Sequence, residues 1–211
     1  IFFIIFIIVF LIYNELIKKQ RIYSLVKNIS EKFNYQFINY DLNTLYRVDK
    51  NQVIKVINTY LDQSIFLIPL NEISNSLLDL DWVKKVNLST NLKNRVKIEI
   101  IEYKPIGLFM YNKQLFYFSK EGKIIAVFKE NSDDELIVFY GNQVLKVANR
   151  LLVILSKLEV KHFIDIKEAY YINERRWDIK LRNGIIINLS ENNIEESINS
   201  YIKLIKNFNS T

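Results

Sequence analysis

One histidine, His162, is the whole supply of imidazole in this sequence, and there is no cysteine. A serine nucleophile needs a base within hydrogen-bond reach, a catalytic thiolate needs a cysteine, and a zinc centre needs several nitrogen or sulfur ligands. His162, in the stretch KHFIDIKEAYYI, meets none of these needs and reads as an ordinary surface residue on a strand. Asp133, Asp134 and Glu135 are adjacent in ENSDDE. A hard cation needs oxygen ligands converging from distinct spacings, so three neighbours in a polar run read as a solvated acidic turn. Gly107, Gly122, Gly141 and Gly184 are isolated, which leaves no loop to cradle a phosphate. The chain therefore reads as non-enzymatic, with no cofactor, metal or small-molecule substrate.

The charge balance points the same way. Lys and Arg number 29 against 23 Asp and Glu, a net charge of +6. The basic residues are scattered, which argues against nucleic acid as a partner. Five of them, Lys18, Lys19, Arg21, Lys27 and Lys32, follow the apolar run Ile1 to Tyr13, where attraction to lipid headgroups accounts for them. That run, IFFIIFIIVFLIY, holds no charge and no helix breaker. At about 1.5 Å per residue it covers roughly 20 Å of a ~30 Å hydrocarbon core. No small-residue cleavage site follows, so residues 1–13 read as the end of an uncleaved membrane anchor whose start is missing. Residues 14–34 carry Leu16, Ile17, Ile22, Leu25, Val26 and Ile29 at helical spacing and read as a juxtamembrane helix.

The elements that follow define an α+β chain. Tyr35 to Leu42 reads as a strand. Val53, Ile54, Ile57 and Leu61 mark one face of a helix with Asp49 as its N-cap, and a second short helix starts near Asn71 after Pro69. WVKKVNLST and RVKIEIIEY alternate on either side of a turn at Asn91 to Asn94, which predicts a hairpin. Trp82, at a helix-to-strand junction, is expected to be at least partly buried. Beyond a junction near Tyr103 to Pro105 come short strands at Leu108 to Met110, Gln114 to Ser119 and Lys123 to Phe128, then Leu136 to Tyr140. An amphipathic helix over Gln143 to Leu158 precedes strands at Phe163 to Ile172 and Trp177 to Leu181. Asn183-Gly184 is a two-residue hairpin signal between DIKL and IIINL, and a last helix starts at Ser190.

This order of motifs resembles the FtsQ (DivIB) cell-division family. The run from Asn51 to Phe109 is similar to that family's POTRA domain, with Asp81-Trp82-Val83 at the step into the hairpin and Glu102-Tyr103-Lys104-Pro105 at its end. Asp81 stands where the family usually has Pro, and the turn after Leu92 lacks the family's usual Pro. Downstream, Arg175-Arg176-Trp177-Asp178-Ile179-Lys180-Leu181-Arg182-Asn183-Gly184 matches the family's signature before IIINL and a helix. The resemblance implies a membrane segment at 1–13, a juxtamembrane helix at 14–34, a POTRA domain (β-α-α-β-β) at 35–103 and a strand-rich β domain with two flanking helices at 104–211. It also implies that this β domain lacks its last strands. The role implied is a single-pass inner-membrane scaffold, folded in the periplasm, linking early and late division proteins through FtsB-like and FtsL-like partners. The competing reading is a POTRA-bearing component of outer-membrane assembly or secretion.

What remains for function is interaction surface. Trp177 to Leu181 and Ile185 to Leu189 alternate well enough to share a sheet, and the sequence stops before a further strand covers their edge. An open edge accepts a partner's strand. The candidate docking residues are Arg175 and Arg176, placed to meet carboxylates, with Ile185, Ile186, Ile187 and Leu189 along the edge.

Overall fold

Residues 2–13 and the charged stretch after them form one uninterrupted helix, α1 (Phe2–Lys32). In this computed structural model the described residues are 2–129, 132, 134–158 and 165–208. Among them no helix is long and apolar enough to cross a membrane. The chain divides into two compact units, Ile1–Glu102 and Tyr103–Thr211.

In the first unit the order is β1 (Asn39–Leu42), α2 (Lys50–Asn58), α3 (Leu70–Leu78), β2 (Val83–Thr90) and β3 (Arg95–Glu102). The sheet runs β1-β3-β2, with β1 parallel and β2 antiparallel to the central β3. Asp49 caps α2 as its sequence position suggested: the Asn51 amide donates to Oδ1 at 2.8 Å. The apolar spacing of both helices turns Val53, Ile57, Ile73 and Leu77 onto Val96, Ile98 and Ile100 of β3, and all seven are buried. Two elements are shorter than expected. Residues 35–37 pair with the loop at 63–65, not with the sheet, so β1 begins only at Asn39. The helix from Lys50 ends at Asn58, leaving Leu61 in a turn. Trp82 is half-buried at φ 71°, with the Arg47 guanidinium carbon 4.7 Å from its ring centroid. Ser30 anchors the end of α1, its Oγ 2.6 Å from Ser64 Oγ.

The second unit holds β4 (Pro105–Tyr111), β5 (Gln114–Ser119), β6 (Ile124–Val127), β7 (Val138–Tyr140), α4 (Val144–Lys157), β8 (Ile166–Ile172), β9 (Arg176–Leu181), β10 (Ile186–Asn188) and α5 (Ile194–Phe208). Seven strands run β10-β9-β8-β7-β4-β5-β6. Parallel neighbours need a crossover, and α4 supplies it between β7 and β8. The core gathers Ala148, Leu151 and Leu155 of α4 and Ile198 and Ile202 of α5 on one sheet face, against Phe118, Phe139, Trp177 and Ile179. Phe139 sits at its centre, edge-on to Phe118 at 5.4 Å and to Trp177 at 6.0 Å. The α+β reading thus holds in both units, a β-α-α-β-β layer followed by a strand-rich sheet with two helices.

Turn chemistry refines the hairpins. Asn183-Gly184 was expected to make a two-residue turn, but the loop has three residues, Arg182 to Gly184. Gly184 donates to the Leu181 carbonyl, Leu181 donates to the Ile185 carbonyl, and only Gly184 has positive φ, at 90°. A type I′ turn would need positive φ at both central residues; Asn112 and Lys113, at 46° and 64°, meet that condition between β4 and β5. The last helix starts at Ile194, not Ser190, because Asn193 caps it: the Glu196 amide donates to its side-chain oxygen at 3.1 Å.

A candidate docking edge

Among the described residues β10 ends the strand order of the second unit, so its far side is an edge. Its register against β9 pairs Ile186 with Lys180, Ile187 with Ile179 and Asn188 with Asp178. The Leu181 amide donates to Ile185 and the Leu189 amide to Trp177, each at 2.8 Å. Antiparallel pairs alternate, so the backbone groups of 185, 187 and 189 face β9, while the N–H and C=O of Ile186 and Asn188 point outward. These four groups are what the edge offers a partner strand.

The six candidate residues divide. Ile187 and Leu189 turn inward, 9% and 2% exposed, and join the core beneath α5. Their side chains hold the edge in place and contribute only backbone to it. Ile186 stands on the opposite sheet face, 61% exposed, and Ile185 is exposed beside it. Arg175 lies 3.7 Å from Glu191, and Arg176 lies 3.3 Å from Asp178. The Arg175–Glu191 pair is solvated on both sides and costs little to exchange for a partner's carboxylate, whereas the mostly buried Asp178 holds Arg176 more firmly.

The outer face beside this edge carries a polar cluster that sequence reading missed. Glu168 of β8 is 8% exposed although it faces away from the core. It accepts from the Tyr170 hydroxyl and lies 3.3 Å from Lys180 Nζ and 3.6 Å from Lys167 Nζ. Tyr170 stacks on Tyr140 with centroids 4.5 Å apart. The Tyr170 hydrogen bond holds the Glu168 carboxyl below the usual carboxylate range. Burial, and then Glu168 itself, push the Tyr170 phenol up. A phenol held in its protonated form is a poor base, so the cluster reads as a clasp across β7, β8 and β9. The signal that could have found it is Glu168 and Tyr170 at i, i+2 on one strand, but only the register brings Lys180 opposite Glu168.

Of the acidic triplet, Asp134 accepts from the Tyr117 hydroxyl at 2.7 Å and Glu135 lies 4.0 Å from Arg182. Asp133 and His162 lie outside the described residues. Among the described residues no three His, Cys, Asp or Glu side chains are grouped to hold a metal ion.

Comparison with known proteins decides the lineage. The family described as "Cell division protein FtsQ/DivIB, C-terminal" matches residues 109–210, and "POTRA domain, FtsQ-type" matches 42–103. The cell division protein FtsQ of Rickettsia typhi is 30% identical over 188 residues, 86% of this chain and 68% of that protein. The chain belongs to the FtsQ/DivIB family of cell division proteins. FtsQ of Rickettsia prowazekii is 29% identical over 191 residues, 87% of this chain and 68% of that protein. Among solved structures, the major extracytoplasmic domain of DivIB from Geobacillus stearothermophilus covers 48% of this chain and 89% of its own, at 13% identity and a TM-score of 0.36.

The FtsQ-type ending Glu102-Tyr103-Lys104-Pro105 gains a physical reason here. The Glu102 carboxylate accepts the backbone amides of Tyr46, Arg47 and Val48 at 3.1, 2.9 and 2.7 Å. It closes the loop between β1 and α2 onto the end of β3.

Proposed function

We propose that this FtsQ/DivIB chain is a non-enzymatic scaffold of the division machinery that links early and late division proteins through protein-protein contacts. In this reading residues 1–13 belong to a single inner-membrane anchor and 14–34 to a juxtamembrane helix. The POTRA domain (35–103) and the β domain (104–211) stand in the periplasm. Its partners are FtsB-like and FtsL-like division proteins. The observation that carries the reading is family membership across both units. The match of the second unit to the FtsQ/DivIB C-terminal family favours it over a role in outer-membrane assembly or secretion.

The proposed docking edge is β10, with Ile185 and Ile186 as exposed contacts, Ile187 and Leu189 as its buried support, and Arg175 and Arg176 as charge partners. The test is amide hydrogen exchange over Ile185 to Leu189, with and without FtsB-like and FtsL-like proteins. Slowed exchange at Ile186 and Asn188, whose amides face outward, is the expected result. Unchanged exchange there with new protection elsewhere moves the docking site off this hairpin. Ile186→Pro removes an outward donor and leaves the β9 ladder intact, so it weakens the complex without unfolding the edge. Reversing Arg175 and Arg176 to Glu slows association more than it speeds dissociation, because rim charges act on encounter.

A further inference from the structure

The first unit has an open edge of its own, and a cavity of mixed polar and apolar lining lies against it. β1 ends the order β1-β3-β2. The amides of Asn39 and Asn43 donate to the carbonyls of Asn94 and Ile98 on the β3 side. Alternation along a parallel pair then turns the N–H and C=O of Tyr40 and Leu42 away from β3. The side chains of these same two residues pack against the core on the helix side of the sheet. There they line a cavity of about 520 Å³ whose apolar part is completed by Leu45, Val48 and Ile54 and whose polar part is Asn43, Thr44 and Lys50.

The two edges of this sheet are not alike. β2 carries the consecutive lysines Lys84 and Lys85 and an irregular register between Val83 and Lys85, the usual protections of an exposed edge. On β1 the single charge, Asp41, lies on the sheet face opposite Tyr40 and Leu42, 3.1 Å from Arg95. The side of β1 beside the cavity is left apolar.

We propose that the β1 edge and its cavity dock an extended segment of a partner polypeptide. The outward groups of Tyr40 and Leu42 are spaced for a backbone in β conformation, which commits the occupant to a peptide strand. The apolar part of the cavity, at Leu42, Leu45, Val48 and Ile54, takes apolar side chains at every second position of that strand. Lys50, in the first turn of α2, is the charged residue among those lining the cavity. It lies at the positive end of a helix, so the segment carries a carboxylate toward it. A second copy of β1 fits less well, since it brings Tyr40 and Leu42 to that face with no carboxylate between them. This site is independent of the β10 edge and carries no part of the reading above.

The test pans the full chain, in detergent micelles, against a displayed library of random dodecapeptides. Enriched peptides are then synthesised and their binding measured by fluorescence anisotropy. The expected peptides are apolar at alternate positions and carry Asp or Glu. Lys50→Glu weakens them about threefold. Ile54→Trp narrows the cavity and weakens binding. Methylating the peptide nitrogens that face β1 costs roughly tenfold, while methylating the alternate set changes little. The methylated pair needs no protein variant, so the test stands even if Ile54→Trp fails to fold. Ile186→Pro leaves this binding unchanged, which separates it from the β10 edge. No enrichment above the unselected library overturns the proposal, as does binding that ignores both Lys50→Glu and backbone methylation. Self-association of the chain that Ile54→Trp removes assigns the edge to a second copy and also overturns it.

Discussion

Removing the Glu102 carboxylate tests whether a single side chain closes the loop ahead of α2. Glu102 Oε1 accepts from three consecutive amides, and Oε2 lies 3.1 Å from the first of them, that of Tyr46. In Glu102→Ala the Tyr46 and Arg47 amides turn to water, because both residues are exposed. Val48 is 6% exposed, so its amide is left buried without its 2.7 Å partner. An orphaned buried donor costs about 1–3 kcal/mol, and lost charge-assisted bonds add to it. We expect about 2–3 kcal/mol for Glu102→Ala. Glu102→Gln, which keeps one acceptor oxygen without the charge, should cost about 1 kcal/mol. For a unit of this size each kcal/mol lowers the melting temperature by about 4–8 °C. The assay pairs thermal unfolding with hydrogen exchange, reading peptides that cover residues 44–53 and using residues 166–181 as an internal reference. Exchange should rise sharply in the first set and stay constant in the second. A cost for Glu102→Ala below about 0.5 kcal/mol, with unchanged exchange at Val48, would show that the loop holds without the carboxylate.

Gly107→Ala should destabilise the second unit by about 1–3 kcal/mol through overpacking. An added Cβ would lie 2.5 Å from Phe139 Cε2 and 2.9 Å from Phe118 Cε1. Urea midpoints for Gly107→Ala alone and combined with Phe139→Leu should show partial rescue, and strict additivity would place the clash elsewhere. For Glu168 the sign follows from its lowered folded pKa, set first by the Tyr170 hydrogen bond. Its contribution is complete above the ordinary carboxylate pKa of about 4.3 and is lost as pH falls through the lower folded value. The stability difference between the native chain and Glu168→Gln, measured by urea unfolding from neutral to acidic pH, should therefore be flat near neutrality and shrink in acid. A constant difference would mean that the charge on Glu168 contributes nothing.

The elements of the first unit were legible because helices and caps are local. Val53 and Ile57 lie one turn apart, and Asp49 needs only the Asn51 amide two residues away to start the helix between them. The run IIINL shows the limit of such reading. Three isoleucines in succession, then Asn188 and Leu189, do not say which residues face inward, and pairing with Ile179 and Trp177 of β9 buries Ile187 and Leu189 while leaving Ile186 in solvent. Two of the six candidate residues, Ile187 and Leu189, therefore proved to be core. Gly184 marked a hairpin, but loop length follows from where the strands register, and a one-residue change in register exchanges the two faces. Glu102 finds its amides 54 to 56 residues earlier in the chain, and Glu168 finds Lys180 across a strand pair. No periodicity encodes such separations. Local sequence determines which segments are helix and strand because those hydrogen bonds close within a few residues. Which strand becomes an edge, and which carboxylate is clasped, is decided only when distant segments pack together and exclude water.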